Sequence, residues 1–253
     1  MTEALIRVEH ERSVRTLTLD SPHNRNALSA ALLDQLASAL RAALDDPAVR
    51  AVVLTGSGSV FCSGADLSER GSAAPNRMPD ILTTIVESPV PVMARVNGHA
   101  RAGGIGLVAA ADMAVAPAAA TFAFTEVRVG VAPAMIMVPA LSVMKRRVLA
   151  QMVLTGERFT AAEASAAGLL TAVVDDEPSL DAWVAARAEA LRQAAPGALR
   201  ATKQLLRALP AQGWSDAMEA AAAVSAQLFA GAEAAEGMQA FLEKRAPAWD
   251  TTQ

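Results

Sequence analysis

The sequence predicts an α/β fold, in which buried strands alternate with helices. Three apolar segments, at 49–56, 91–98 and 113–116, have the length and composition of buried strands. Helical patterns of apolar residues separate these segments, and strands that alternate with helices usually pair in parallel. The 253 residues are enough for one large domain with a substantial core.

Two strands and a helix are predicted before the first of these segments. Apolar and polar residues alternate on both sides of a polar turn at 9–13, which predicts two short strands in the first twenty residues. Ser29 can cap a helix whose apolar stripe repeats every four residues from Leu32 to Leu44. The helix should stop at Asp45-Asp46-Pro47, because proline lacks an N–H and restricts the residue before it.

The second half of the chain is predicted to be mostly helical. Thr160 and Glu163 have the spacing of a capping box, and Gly168 is a suitable helix end. Residues 171–174 (TAVV) predict a short edge strand. From residue 180 to residue 245 the sequence is alanine-rich and helical, with interruptions at proline and glycine.

Composition and charge exclude several classes of protein. Hydrophobic residues make up 53% and charged residues 19%, which excludes a disordered chain. The formal net charge of -4 argues against a dedicated nucleic-acid binder. The single cysteine, Cys62, excludes an intrachain disulfide, and His10 and His23 have no metal-ligating neighbour at a useful spacing. No run of about 18 apolar residues is present, so we expect a cytoplasmic protein that binds no membrane.

Two glycine-rich passages are candidates for a binding site. Residues 56–69 (GSGSVFCSGADLSE) follow a predicted strand but lack the third glycine of a dinucleotide fingerprint, so alone they are more typical of a plain loop. In the second passage, Gly103 and Gly104 open an apolar helix, whose first N–H groups have no intrahelical acceptor. Such a helix start can hold an oxyanion, or it can simply pack closely against a strand. The pattern favours neither interpretation.

Glu126 is the third candidate, because it stands among apolar residues in the segment ATFAFTEVRVGVAPA (120–134). Two interpretations are open for a carboxylate in such surroundings. It is either a solvent-facing strand residue or a partly desolvated base with a raised pKa.

Together these passages resemble the crotonase family, the enoyl-CoA hydratases and isomerases. Six segments match the family's motifs in order: PHNRNAL (22–28), FCSGADLSE (61–69), NGHARAGGIGL (97–107), FTEVRVG (124–130), TGERFTAAEASAAGLL (155–170) and EGMQAFLEKRAPAW (236–249). The resemblance therefore covers essentially the whole chain.

The resemblance implies a crotonase-like spiral of ββα units over residues 1–192. Residues 193–253 would form a C-terminal helical region that builds homotrimers, which often pair into hexamers. The substrate would be an acyl-CoA thioester. Coenzyme A is then part of the substrate, and no separate cofactor or metal is expected.

The resemblance also assigns roles to residues of this chain. The backbone N–H groups of Ser63 and Gly103 would hold the thioester oxygen as it gains enolate character, and Glu126 would transfer protons. The remaining matched positions would bind CoA: Asn26, Ala27 and Leu28 along its length, Ala65, Asp66 and Leu67 at the adenine pocket, and Phe241 and Lys244 across a subunit boundary.

The chain departs from the family's hydratases at one catalytic position. Those enzymes use two glutamates, of which the second matches Glu126 and the first matches Gly106. Position 106 lies three residues after Gly103, so the two share a helix face. We expect Gly106 to leave an empty space in the site.

The resemblance leads to an enoyl-CoA hydratase/isomerase-family enzyme, with enoyl-CoA hydratase as the first expectation, and the departure at Gly106 keeps two other functions open. A hydratase with one glutamate should be slow, whereas a Δ3,Δ2-enoyl-CoA isomerase needs only one carboxylate. A non-catalytic acyl-CoA binding protein is the alternative from another class.

The acyl group would be bordered by residues 71–85 and by Met135, Ile136 and Met137. Residues 71–80 combine glycine, serine and proline, which predicts a mobile loop. We also consider the hypothesis that Arg101 and Arg128 bind an acidic or polar acyl tail. His99 and Cys62 are more typical of a loop residue and of a buried apolar filler.

Overall fold

Two β-sheets form the centre of the fold in the computed structural model, which describes residues 3–69 and 76–250. The ten strands in the described ranges are β1 (Ile6–Glu11), β2 (Val14–Leu19), β3 (Ala51–Gly56), β4 (Val60–Cys62), β5 (Val92–Arg95), β6 (His99–Arg101), β7 (Met113–Pro117), β8 (Thr121–Ala123), β9 (Phe159–Thr160) and β10 (Ala172–Val174). The first sheet has the order β1-β2-β3-β5-β7-β10, and the second has the order β4-β6-β8-β9.

Helices surround these sheets. The ten α-helices in the described ranges are α1 (Ala30–Asp45), α2 (Met78–Glu87), α3 (Gly103–Ala110), α4 (Ala134–Val143), α5 (Arg146–Thr155), α6 (Ala161–Ala167), α7 (Glu177–Gln193), α8 (Pro196–Ala208), α9 (Trp214–Phe229) and α10 (Ala232–Glu243). The N-termini of α1 and α6 are capped as predicted. The Ser29 hydroxyl accepts from the Leu32 N–H, and Thr160 forms a capping box with Glu163.

The chain winds as a spiral because consecutive strands enter different sheets. β3, β5 and β7 pair in parallel in the first sheet, and the strand after each of them, β4, β6 and β8, pairs in parallel in the second. A helix follows β4 and another follows β6. The mixed α/β fold and the repeated ββα unit are therefore confirmed. The predicted strand at 171–174 is present as β10, at the edge of the first sheet.

The core lies between the sheets and the surrounding helices. The ring of Phe159 stacks against Phe122 and Phe124, with centroids 5.7 and 6.1 Å apart, and all three side chains are buried. On the outer face of the first sheet, α7 packs Ala188 against Val14 and Val53. The predicted boundary between residues 192 and 193 falls at the end of α7, and the division into two regions stays a prediction. No helix in the described ranges is both long and apolar enough to cross a membrane.

An ion pair between the buried Lys203 and the partly exposed Asp112 attaches α8 to the core. The Lys203 ammonium lies 2.7 Å from a carboxylate oxygen of Asp112 and donates to the carbonyl of Ile85 at 3.0 Å. The same Asp112 oxygen accepts from the Val92 N–H at 2.7 Å. The pair therefore connects a C-terminal helix to a central strand.

We expect Lys203→Met to lower the free energy of unfolding by about 3 kcal/mol, since it leaves a partly buried carboxylate without its cation. Urea denaturation measures this loss. Arg207→Met is the matched control, because Arg207 pairs with Glu87 at 2.7 Å with both side chains about half exposed. That exposed pair should contribute less than about 1 kcal/mol. Equal losses in the two variants would contradict a structural role for Lys203.

Candidate active site

A pocket of about 410 Å³ lies beside the loops that follow β4 and β6. Seven residues that the sequence singled out by name line it: Leu28, Ala65, Asp66, Gly103, Glu126, Met135 and Ile136. Leu33 of α1 and Met78 of α2 add further apolar side chains to the wall. The fold thus brings distant parts of the chain to one cavity. Met137 and Leu67, which were also predicted at the site, do not line this pocket.

Two backbone N–H groups at this pocket have no acceptor among the described residues. Leu28 pairs with the loop after β4, since its N–H donates to the Gly64 carbonyl at 2.8 Å and its carbonyl accepts from Asp66 at 3.4 Å. These bonds use the groups on either side of Ala65 and leave the Ala65 N–H unused. Gly103 is the first residue of α3, so its N–H has no intrahelical acceptor.

Ser63 does not fit the role that was predicted for it. Its N–H donates to the Arg25 carbonyl at 3.1 Å, and its hydroxyl donates to the Asn24 carbonyl at 3.3 Å. Ser63 does not line the pocket either. An N–H that is already used within the fold cannot also hold a thioester oxygen. The prediction is therefore corrected, because the free N–H of this loop belongs to Ala65.

The two loops that carry these N–H groups touch each other. Gly64 has a φ of +94°, and a Cβ atom built on it would lie 2.8 Å from the Ala102 Cβ. Ala102, which precedes Gly103, has a φ of 46° and a ψ of -119°, a conformation that alanine rarely adopts. This unusual backbone turns the chain directly before the N–H of Gly103. Close contact and strain are therefore concentrated where the two N–H groups are positioned.

Glu126 has the environment of a partly desolvated acid rather than of a solvent-facing strand residue. It begins a short 3-10 helix, Glu126–Val129, that follows β8. Its Oε2 atom is buried and has no hydrogen-bond partner within the described part of the chain. Burial raises the pKa of this carboxyl above its ordinary value. An acid with this environment can accept and return a proton near neutral pH more readily than an exposed glutamate.

The other carboxylates of the pocket are already engaged. Asp66 accepts from the hydroxyl and the N–H of Ser68 at 2.6 and 2.9 Å, and these bonds lower the pKa of Asp66. Glu69 accepts from the Ala30 N–H at the start of α1, at 2.8 Å. Among the described lining residues, Glu126 is therefore the carboxylate with a free buried oxygen.

The expected empty space at Gly106 is not present. A Cβ atom built on Gly106 would lie 2.5 Å from Cγ2 of Ile136 and 2.9 Å from its Cβ. Ile136 belongs to α4 and is only 3% exposed. The expectation was wrong because a neighbouring helix fills the position, which the local sequence around Gly106 does not show.

The segment of Asn26, Ala27 and Leu28 is buried, and Asn26 has a clear structural role. Its side-chain oxygen accepts from the Ser21 N–H at 2.9 Å, and its amide nitrogen donates to the carbonyls of Ser57 and Val60 at 3.0 and 2.8 Å. Leu28 is the member of this segment that lines the pocket. The predicted contacts of this segment with CoA stay predictions.

Phe241 and Lys244 lie at the end of α10 and away from the pocket lining. The Phe241 side chain is 83% exposed. Their predicted contact with CoA in a neighbouring subunit stays a prediction. Of the predicted mobile loop at 71–80, residues 71–75 lie outside the described residues, and α2 already begins at Met78.

Arg101 and Arg128 do not line the pocket, so the hypothesis that they bind an acyl tail has no support in the geometry. Arg101 donates to the backbone carbonyl of Thr121 and also to its hydroxyl, at 2.8 Å. Arg128 donates to the Thr155 carbonyl at 3.1 Å. The Nδ1 atom of His99 accepts from the Thr121 N–H at 3.1 Å, which makes it part of the second sheet.

Cys62 is buried beside both loops of the site. Burial raises the pKa of its thiol to about 12. Its sulfur accepts from the Gly64 N–H at 3.4 Å, and a Cβ atom built on Gly104 would lie 2.7 Å from the Cys62 Cβ. The residue therefore packs the loops and is not a nucleophile. No cluster of three potential metal-ligating side chains is found in the described ranges.

Solved structures of similar chains have the same fold. Human enoyl Coenzyme A hydratase domain-containing protein 3 aligns with a TM-score of 0.92 and 30% identity, covering 97% of this chain and all of that chain. An enoyl-CoA hydratase of Mycobacterium smegmatis aligns with a TM-score of 0.90 and 36% identity, covering 98% and 99% of the two chains.

Sequence comparisons agree with the structural ones. The 2,3-dehydroadipyl-CoA hydratase of Escherichia coli (strain K12) is 34% identical over 250 residues, which are 95% of this chain and 96% of that protein. The mitochondrial enoyl-CoA hydratase domain-containing protein 3 of Danio rerio is 33% identical and covers 99% of this chain and 89% of its own length. The profile of the family "Enoyl-CoA hydratase/isomerase" matches residues 9–252. The chain therefore belongs to the enoyl-CoA hydratase/isomerase family of the crotonase superfamily.

Proposed function

We propose that this chain is an enoyl-CoA isomerase, which moves the double bond of a 3-enoyl-CoA to position 2. The observation that carries the proposal is Glu126, which among the described lining residues is the carboxylate with a free buried oxygen, together with Ile136, which fills the space at Gly106. Isomerisation requires one group that takes a proton from C2 and returns a proton to C4. Hydration requires a base for water in addition to a proton donor for C2.

The two unused N–H groups support an enolate intermediate. When Glu126 takes the C2 proton, the electron pair moves onto the thioester oxygen, and the N–H groups of Ala65 and Gly103 would hold the resulting negative charge. Such donors stabilise a developing oxyanion because they are fixed in place before the reaction. The proton then returns to C4 as the double bond moves to C2–C3, so substrate and product have the same composition.

The raised pKa of Glu126 suits both steps. An acid whose pKa lies closer to neutral pH is a stronger base when ionised and still returns its proton readily. This also argues against the non-catalytic alternative, because a binding protein gains nothing from a buried carboxyl without a partner.

Hydration of a 2-enoyl-CoA is the second candidate. The names of the E. coli and M. smegmatis relatives favour it, since both are hydratases. In this chain Glu126 would have to activate water and then protonate C2 in turn. A missing acid–base group typically costs a factor of about a hundred to ten thousand in rate, so such a hydratase should be slow.

The assembly and location are proposed from the resemblance. Homotrimers, or hexamers made of two trimers, would bring Phe241 and Lys244 of one subunit to the CoA of another. We expect no cofactor apart from the CoA of the substrate. A cytoplasmic location stays a prediction, and the zebrafish relative is named as mitochondrial.

Incubation with acyl-CoA substrates in deuterated water separates the three functions. We expect a 3-enoyl-CoA to give the 2-enoyl-CoA, with deuterium at C4 in the fraction of turnovers in which the Glu126 carboxyl exchanges with solvent before it returns the proton, and crotonyl-CoA to be hydrated at least about a hundredfold more slowly. Faster formation of 3-hydroxybutyryl-CoA than of the migrated double bond would overturn the isomerase in favour of the hydratase. Tight binding of crotonyl-CoA without any product would favour the non-catalytic protein.

A further inference from the structure

We propose that Ile136 determines which reaction the site performs, because its side chain occupies the space that a second carboxylate would need. The inference rests on the proposed single-carboxylate chemistry of Glu126. It adds a specificity-determining residue on α4, 30 positions along the chain from Gly106.

The packing between α3 and α4 leaves no room for a side chain at position 106. The nearest atoms to a Cβ built there are Cγ2, Cβ and Cα of Ile136, at 2.5, 2.9 and 3.6 Å. The first two distances are shorter than real Cβ atoms show, whereas the third is an ordinary contact. The obstacle is therefore the side chain of Ile136 and not the backbone of α4.

Ile136 cannot easily move out of the way. Its side chain is β-branched, and in a helix such side chains have one strongly preferred rotamer. The residue is only 3% exposed, and Pro139 and Ala140 of the same helix are also buried. A larger residue at position 106 must therefore displace α4 itself.

The pocket is bordered by Ile136 and not by Gly106. Position 106 lies one helical turn after Gly103, so a side chain there would lie on the face of α3 that begins at the proposed oxyanion donor. The chain presents an apolar side chain where a base for water would otherwise stand. Water then lacks a group that takes its proton, and Glu126 is left to transfer protons between C2 and C4.

The packing part of the proposal is tested by thermal unfolding of the wild-type protein and five variants, which give the effect of Gly106→Ala in three backgrounds. We expect Gly106→Ala to lower the melting temperature of the wild-type protein. In an Ile136→Gly background, Gly106→Ala should lower the melting temperature much less, because the nearest atom that remains at position 136 is the Cα, at 3.6 Å. Ile136→Val is the matched control, since valine keeps Cγ2 and should preserve the full cost. An equal cost in all three backgrounds would overturn the proposal.

The catalytic part is tested with Gly106→Glu, Ile136→Gly and the double variant. We expect the double variant to hydrate crotonyl-CoA about a hundredfold faster than the wild-type protein. Neither single variant should hydrate it faster than the wild-type protein does. Faster hydration by Gly106→Glu alone would overturn the role of Ile136. The role would also be overturned if the double variant folds and binds crotonyl-CoA but hydrates it no faster than the wild-type protein.

These outcomes differ from those that test the proposed function. If the wild-type protein already hydrates crotonyl-CoA rapidly, the isomerase proposal and the catalytic role of Ile136 both fail. The thermal coupling between positions 106 and 136 would still be measured, because it does not depend on activity.

Discussion

Glu126→Gln is expected to lower the kcat of double-bond migration by about a hundred- to ten-thousand-fold. Glutamine keeps the shape and the polarity of the side chain but can neither take nor return a proton. The variant should still bind the substrate, because the N–H groups of Ala65 and Gly103 are unchanged. Steady-state kinetics with a 3-enoyl-CoA measures the loss, and full activity of the variant would show that Glu126 is not the base.

The same variant should be more stable than the wild-type protein at neutral pH. Burial raises the pKa of Glu126 above its ordinary value of 4.5, so the folded state favours the protonated form. That contribution is fully present below pH 4.5 and is lost as pH rises through the raised pKa. Glutamine resembles the protonated acid at every pH. The gain in melting temperature should therefore be visible at pH 7 and should vanish below pH 4.5.

The pH dependence of kcat/KM should follow the same ionisation of Glu126. Glu126 must be ionised to take the first proton, so kcat/KM should fall as pH decreases through the raised pKa. We expect the midpoint of this acid limb above 4.5. A midpoint at or below 4.5 would contradict the desolvated environment of this carboxyl.

Asn26→Asp is expected to lower the free energy of unfolding at pH 7 by at least about 3 kcal/mol. The new carboxylate can still accept from Ser21, but its second oxygen would face the carbonyl oxygens of Val60 and Ser57, where the amide nitrogen now donates at 2.8 and 3.0 Å. Asn26 is fully buried, so water cannot compensate for the lost bonds. Urea denaturation at pH 7 measures the effect.

Lower pH should partly rescue this variant, because a protonated acid regains a donor for one of the carbonyls. Gln35→Glu is the matched amide-to-acid control. Among the described residues, the Gln35 amide nitrogen donates only to the exposed Glu3 carbonyl, at 2.9 Å, so this change should cost less than about 1 kcal/mol. If Asn26→Asp instead kept full stability and raised only the KM for acyl-CoA, Asn26 would be a CoA contact.

The first sheet could be predicted from the sequence, but the second could not. Five of its six strands have four to six residues, which is long enough to show a pattern, and all six residues of β3 are buried. The three-residue strand β10 is the exception, because the apolar run TAVV follows a recognisable helix end at Gly168. The strands of the second sheet have two or three residues each. At that length no periodicity can be recognised, and only the pairing with neighbouring strands makes them strands.

The sequence predicts which segments form the site more easily than it predicts which backbone N–H groups in them are free and which side chains fill the space between them. The resemblance predicted that the loop at 61–69 belongs to the site, but it assigned the N–H that holds the thioester oxygen to Ser63. Which N–H of that loop is free depends on its bridge to Leu28, more than thirty residues away. In the same way, the sequence shows that position 106 lacks a side chain, but only the packing of α4 shows that Ile136 fills the space.

The burial of Cys62 gives the protein a built-in reporter of local opening. It is the only thiol of the chain, and a buried, protonated thiol does not react with disulfide reagents until the structure around it opens. Its neighbours Gly64 and Gly104 belong to the loop after β4 and to the first turn of α3, the two segments that carry the free N–H groups. The rate at which a mass-labelled reagent modifies the folded protein therefore measures how often these two segments separate, and a bound acyl-CoA should slow that labelling.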